Sequence, residues 1–215
     1  GDLEGNSEGE SDAEQTRASS PGLTLAEAMR TRSFWLLFVG LFVFFVYHAG
    51  VSSHLVLFLT DIGMSTMEAS ASFGTTVFLG VGAKVGIGLF ADRWPAKTAL
   101  VIDFGVVTIA SLVLLALPSK GLLPVFVVTH GLATAAQNVV YPLMVARCFG
   151  VEHMAKIYGV LMLALLPGGT LGPIFAGYMF EGLGSYDLAF QIFAGLNIVS
   201  LVGLCFVRPA RPGLV

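Results

Sequence analysis

Lys84 is a single cation inside a long apolar run, nine residues before Arg93. At about 1.5 Å of rise per helical residue, its backbone stands roughly 13 Å in from the helix end that Arg93 marks. Its ammonium cannot easily snorkel to water from there, so it needs an anion, either a ligand carboxylate or an acidic side chain elsewhere in the protein. Thr76, Gly80, Lys84 and Gly88 recur every four residues. A helix carries them on one face, where the small residues admit a neighbouring helix and the ammonium faces a cavity. His130, Thr134, Gln137 and Tyr141 form a second set, a polar stripe along an otherwise apolar helix, with Asn138 beside it. Gln137 and Tyr141 are candidates for ligand contact and equally for hydrogen bonds between packed helices. Tyr47 and His54, seven residues apart with Gly50 between them, share nearly one face and can reach the same cavity. A histidine there either carries a proton or stays neutral and hydrogen-bonded. Asp103 reads as a structural partner of the basic loop that precedes it.

The elements that must position these residues follow from composition. Of 215 residues, 55% are hydrophobic and only 12% charged, with a mean hydropathy of +0.83. That solvent preference is wrong for a water-soluble domain and right for an integral membrane protein. The apolar runs are too long for barrel strands and lack period-two alternation, so the fold is expected to be all-α. Six transmembrane helices are expected at about 33–60, 68–91, 97–117, 122–146, 157–180 and 188–207, within a transmembrane unit over 24–209. Thr24 with Glu27, and Ser65 with Glu68, have the spacing of capping boxes at two helix starts. Pro124 suits a first helical turn and Pro142 predicts a kink. Pro167, Gly168 and Gly169, then Gly172 and Pro173, permit tight packing or a bend that gates.

Residues 1–23, rich in Gly, Ser, Asp and Glu, read as a disordered acidic linker, and 210–215 as a cytoplasmic tail. The start at Gly1 reads as that of a fragment. Arg30 and Arg32, Arg93 and Lys97, Arg147 and Lys156, and Arg208 and Arg211 flank alternate connections, whereas the others hold only Lys120. This asymmetry predicts both ends in the cytoplasm. Cys148 and Cys205 are too few and too far apart for a metal site or a disulfide framework. There is no phosphate loop, no reason for a cofactor, and nothing to bind nucleic acid. An intramembrane protease is disfavoured, because Gly50-Val51-Ser52-Ser53 lacks the second glycine of a G-x-S-G turn and no aspartate pair lies in the spans. The chain is therefore expected not to be an enzyme. An oligomeric channel of six-helix units is the alternative that equally explains a polar stripe and a buried cation.

The connection after the second span reads Gly88-Leu89-Phe90-Ala91-Asp92-Arg93-Trp94-Pro95-Ala96-Lys97. It resembles the G-x-L-A-D-R-x-G-R-R signature of the major facilitator superfamily, with Pro95 and Ala96 in place of the glycine and the first basic residue. Ala146-Arg147-Cys148-Phe149-Gly150, Tyr158-Gly159, Gly169 to Pro173, and Gly184-Ser185-Tyr186 resemble the carboxyl-terminal half of monocarboxylate and oxalate:formate porters, as do His54-Leu55-Val56 and the run from Lys84 to Arg93. The resemblance implies helices seven to twelve of a twelve-helix transporter, whose missing partner is an amino-terminal six-helix half. It implies secondary transport of a small organic anion by alternating access, coupled to a proton or a counter-anion, in a plasma or inner membrane. Lys84 would bind the carboxylate, with His54, Tyr47, Gln137 and Tyr141 around it, while Gly88, Asp92, Arg93 and Lys97 would latch the two bundles. Gly80 stands where animal monocarboxylate transporters place an acidic residue for proton coupling. The fifth span also lacks the second basic residue of oxalate exchangers, so one cation favours a monocarboxylate.

Overall fold

Residues 22–91, 95–118 and 120–208 are described by the computed structural model of the chain. Among them are eight α-helices, which we number in chain order: α1 Leu25–Met29, α2 Arg32–Asp61, α3 Thr66–Ala91, α4 Ala96–Leu115, α5 Leu123–Phe149, α6 Met154–Met162, α7 Leu165–Leu183 and α8 Asp187–Cys205. A 3-10 turn, Lys120–Leu122, leads into α5. The chain is all-helical in this region, as its periodicity predicts.

Both capping boxes form. The Thr24 amide and hydroxyl donate to Glu27 Oε2 at 2.8 and 2.7 Å, and the Glu27 amide donates back to Thr24 Oγ1 at 3.4 Å. Ser65 and Glu68 repeat the exchange ahead of α3, with Ser65 N–H to Glu68 Oε2 at 3.0 Å and Glu68 N–H to Ser65 Oγ at 3.3 Å. The amides left over at each helix start thereby acquire acceptors. Bonding to the Thr24 hydroxyl and amide holds the Glu27 carboxyl below its ordinary range.

The fifth apolar run departs from a single helix. It starts earlier than anticipated, at Met154, and is interrupted at Leu163 and Ala164 between α6 and α7. Pro167 lacks an amide hydrogen, and its ring would clash with the carbonyl of Leu163 four residues back in a continuous helix. In the observed arrangement Pro167 occupies the first turn of α7, where its missing donor costs nothing. Pro142 and Pro173, by contrast, lie inside α5 and α7.

Helix α2 is the hub of the bundle, packing on α3, α7 and α8, while α5 joins α3 to α4 and α4 joins α5 to α8. Small residues set the closest approaches. A Cβ on Gly168 would stand 2.8 Å from the Phe42 carbonyl oxygen, and Gly172 one turn on lies even closer to the Val46 carbonyl, so this pair seats α7 on α2. At one end of the bundle the Ser33 hydroxyl donates to the Arg208 carbonyl at 2.7 Å and accepts from the Arg208 amide at 3.1 Å, tying the start of α2 to the end of α8. The Leu23 amide donates to the Phe149 carbonyl at 2.7 Å, which brings the end of α5 to the same place. Arg30, Arg32, Arg147, Lys156 and Arg208 thus gather at one end of the molecule.

Five of the helical segments, α2, α4, α5, α6 with α7, and α8, are long and apolar enough to cross a membrane. Outward-facing Phe78, Leu166, Ile174, Tyr178 and Val199 give the bundle an apolar exterior suited to lipid. Helix α3 has 26 residues and packs along α5, but part of its second half lies outside the described side chains.

Candidate functional site

Helices α3 and α5 run parallel and are in contact through glycine. A Cβ on Gly131 would stand 2.7 Å from the Thr76 carbonyl oxygen, and one on Gly80 would stand 3.3 Å from the Gly131 carbonyl oxygen and 4.0 Å from Thr134 Oγ1. Thr76 is buried in this seam, and its own hydroxyl bonds back to the Ser72 carbonyl at 2.9 Å. One turn beyond Gly80, on the same face, Lys84 is exposed and has no hydrogen bond or ion pair among the described residues. The one ion-pair distance in that set, 4.0 Å, joins Glu152 and His153 in the connection after α5. Asn138, one turn beyond Thr134 on α5, is likewise exposed, and its amide bonds to the Thr134 carbonyl at 3.2 Å. An open ammonium and an open carboxamide therefore follow the tight α3–α5 seam at the same level.

The polar stripe of α5 behaves differently at its two ends. His130 is buried, and its Nδ1 lies 2.8 Å from the hydroxyl of Tyr47 on α2. Its ring stacks on Phe126 and on His48, with centroids 5.1 and 5.9 Å apart. Tyr141 is also buried and donates to the Leu37 carbonyl of α2 at 2.8 Å. Gln137, between them in sequence, is buried as well. The Tyr47–His130 and Tyr141–Leu37 bonds cross the interior of the bundle and brace α5 against α2, so both tyrosine hydroxyls are already committed.

His54 sits elsewhere, on α2 toward the end away from the basic residues. Its Nε2 lies 3.1 Å from the Pro173 carbonyl of α7 and its Nδ1 3.1 Å from the hydroxyl of Tyr186, just before α8. A carbonyl only accepts, so Nε2 donates to Pro173, while the Tyr186 hydroxyl can donate to Nδ1 or accept from it. Both ring nitrogens are thus used, clamping three elements. Tyr186 is itself held between Phe180 and Phe190, at centroid distances of 4.5 and 5.6 Å.

Of the residues singled out for the latch, Asp92 and Arg93 lie outside the described residues, as do the surroundings of Gly88 in α3. Lys97 is half-buried in the first turn of α4. The structure joins Tyr47 to the α5 stripe but brings neither it nor His54 together with Lys84. Sequence reasoning passed over Tyr186 and the Pro173 carbonyl as partners of His54, since these contacts link residues more than a hundred positions apart. It also paired Asp103 with the basic loop. In the structure that carboxyl is buried, with no hydrogen-bond partner on either oxygen among the described residues, which do not include Arg93 of that loop.

A helical bundle with five apolar segments of membrane-spanning length defines a multi-pass integral membrane protein. The profile of the Major Facilitator Superfamily matches residues 3–129. The chain belongs to this superfamily. It is similar to monocarboxylate transporter 9 of Rattus norvegicus, 26% identical over 161 residues that cover 68% of this chain and 30% of the relative. Monocarboxylate transporter 14 of Mus musculus is 33% identical over 66 residues, covering 31% of this chain and 12% of the relative. The human protein of that name is 30% identical over a stretch of the same length. The matched part of the chain thus spans less than a third of the length of the curated relatives.

Proposed function

We propose that this chain is the carboxyl-terminal six-helix half of a secondary transporter that moves a small organic anion, a monocarboxylate, by alternating access. In this reading α3 also crosses the membrane, as the second of six spans in chain order, and an amino-terminal six-helix half faces the bundle. The observation that carries it is Lys84: an exposed ammonium, within an otherwise apolar helix, that no acidic side chain among the described residues neutralises. Desolvating such a charge without a partner is costly, and a substrate carboxylate supplies the missing anion when the two halves close over it. Asn138 at the same level offers a carboxamide donor to the second carboxylate oxygen. A single cation suits one carboxylate better than two.

The other residues serve this centre at a distance. Tyr47 and Tyr141 keep α5 fixed to α2 behind the seam, and Gln137 is buried on the same stripe of α5. His54, clamped to α7 and α8, reports whether those helices are together, and its release would free a ring nitrogen for a coupled proton. Gly88, Asp92, Arg93 and Lys97 form the latch of the basic end, which we place in the cytoplasm. The names of the relatives, transporters of monocarboxylates, support the substrate class.

The test is uptake of labelled monocarboxylates by the complete protein in liposomes. Lys84→Gln should lower uptake by at least about tenfold, the value of one charge-assisted hydrogen bond, whereas Lys84→Arg should retain a substantial part of it. Equal uptake by the wild type and Lys84→Gln at equal membrane density would remove Lys84 from the site.

A further inference from the structure

Two exposed arginines stand at the foot of an apolar seam between α2 and α8. The Ser33 hydroxyl bonds both the amide and the carbonyl of Arg208, at 3.1 and 2.7 Å, which fixes the backbone of Arg208 beside the first turn of α2 and so beside Arg32. Neither arginine makes an ion pair or a side-chain hydrogen bond among the described residues, and the carboxylate nearest to Arg32 in sequence, Glu27, is bonded to Thr24. Beyond them the helices meet closely. A Cβ on Gly203 would stand 3.6 Å from Leu36, and one on Gly40, a turn further along α2, would stand 3.2 Å from Leu204. Val39 follows Leu36 by one turn on α2, and Val199 and Phe206 lie one turn either side of Gly203 on α8. All three are exposed, as is Trp35 beside them, whose indole N–H donates to the Met29 carbonyl at 2.9 Å. An exposed tryptophan next to basic residues at the end of a membrane-spanning helix is the side chain that settles at headgroup level.

We infer that the seam between α2 and α8 binds an anionic phospholipid, its acyl chains lying against Leu36, Val39, Val199 and Phe206 and its phosphate bonded to Arg32 and Arg208. A guanidinium forks onto two phosphate oxygens, and such charge-assisted bonds are the strong ones. A zwitterionic head brings its own cation, which the two arginines repel. A soluble phosphate would satisfy the arginines and leave the apolar flanks bare, and an uncharged lipid would do the reverse. Only an anionic lipid meets both, and basic residues at the cytoplasmic ends of spans are where such heads are recognised. Helix α8 packs on α2, α4 and α7, whereas Lys84 and Asn138 belong to the seam of α3 with α5. The site is separate from Lys84, so the proposal stands or falls independently of the transport reading.

Equilibrium binding of tritiated dioleoyl phosphatidylglycerol to the complete protein in uncharged detergent micelles tests this inference, with dioleoyl phosphatidylcholine as the zwitterionic comparison. Saturable binding of phosphatidylglycerol is expected, and phosphatidylcholine should bind at least about tenfold more weakly. Arg32→Gln and Arg208→Gln should each weaken phosphatidylglycerol about fivefold, and the double substitution about 30-fold, the size of one and of two basic contacts with an anionic membrane surface. Lys156→Gln, which removes an exposed charge on α6 at the same end of the molecule, should leave binding unchanged. Glycerol 3-phosphate, the head without its chains, should not displace the lipid at equal concentration. Equal affinity for the two lipids would overturn the proposal, as would binding unchanged in the double variant. A loss in Lys156→Gln as large as in Arg32→Gln would also overturn it, and so would displacement by glycerol 3-phosphate.

Discussion

Tyr47 and Tyr141 place chemically equal hydroxyls in the same interior, yet their removal has unequal consequences. Tyr47→Phe leaves His130 Nδ1, 2.8 Å away and fully surrounded, without a partner. A buried polar atom stranded in this way costs about 1–3 kcal/mol. Tyr141→Phe deprives the Leu37 carbonyl of a second donor, but that oxygen keeps its helical bond, and the loss is about 0.5–1.5 kcal/mol. Thermal unfolding in detergent should therefore rank Tyr47→Phe below Tyr141→Phe, and both below the wild type. The reverse order would mean that His130 finds another partner. These roles were half legible: residue type and spacing put His130 and Tyr141 on one stripe, but the partner of each lies 83 and 104 residues away. Lys84 was more legible, because a cation in an apolar run needs no distant partner to be conspicuous. Its neighbour Asn138 was not, since only the glycine seam reveals that the two sit level.

At the scale of elements, glycines of one type divide into two kinds that the sequence alone does not separate. Gly172 is closed off by the α2 backbone at Val46 and Gly50, whereas Gly195 on α8 has open space where a Cβ would project. Gly172→Val should force α7 off α2 and destabilise the bundle by on the order of 3 kcal/mol. Gly195→Ala should be neutral or stabilising, by up to about 1 kcal/mol of helix propensity. Melting of the two variants side by side checks this, and similar losses in both would contradict the packing described. The capping boxes were readable because they depend on residues three apart. The division of the fifth run into α6 and α7 was also written locally, in Pro167, but hydropathy is continuous across it and hides the break. Asp103 was not legible: its carboxyl is buried without a hydrogen bond to any described residue, while Arg93 of the loop it was paired with lies outside them.

For the whole molecule, the ties from Ser33 to Arg208 and from Leu23 to Phe149 gather the basic residues at one end, and Asp61, Glu181 and Asp187 lie toward the other. If the basic end is cytoplasmic, a cysteine replacing exposed Lys156 in a protein without native thiols should react with an impermeant maleimide only after the cells are permeabilised. A cysteine replacing Glu181 should react in intact cells, and the opposite pattern would invert the topology. Orientation decides from which side an anion reaches Lys84, and the transport reading turns on that charge. It is tested most directly by chemical restoration in the complete protein. Lys84→Cys, with Cys148 and Cys205 replaced by serine, is made inactive and then treated with aminoethyl or methyl methanethiosulfonate. The aminoethyl reagent, which rebuilds an ammonium at the position of the lysine, should recover monocarboxylate uptake, and the uncharged methyl reagent should not. Uptake undiminished in Lys84→Cys, or recovered equally by both reagents, would contradict the transport reading.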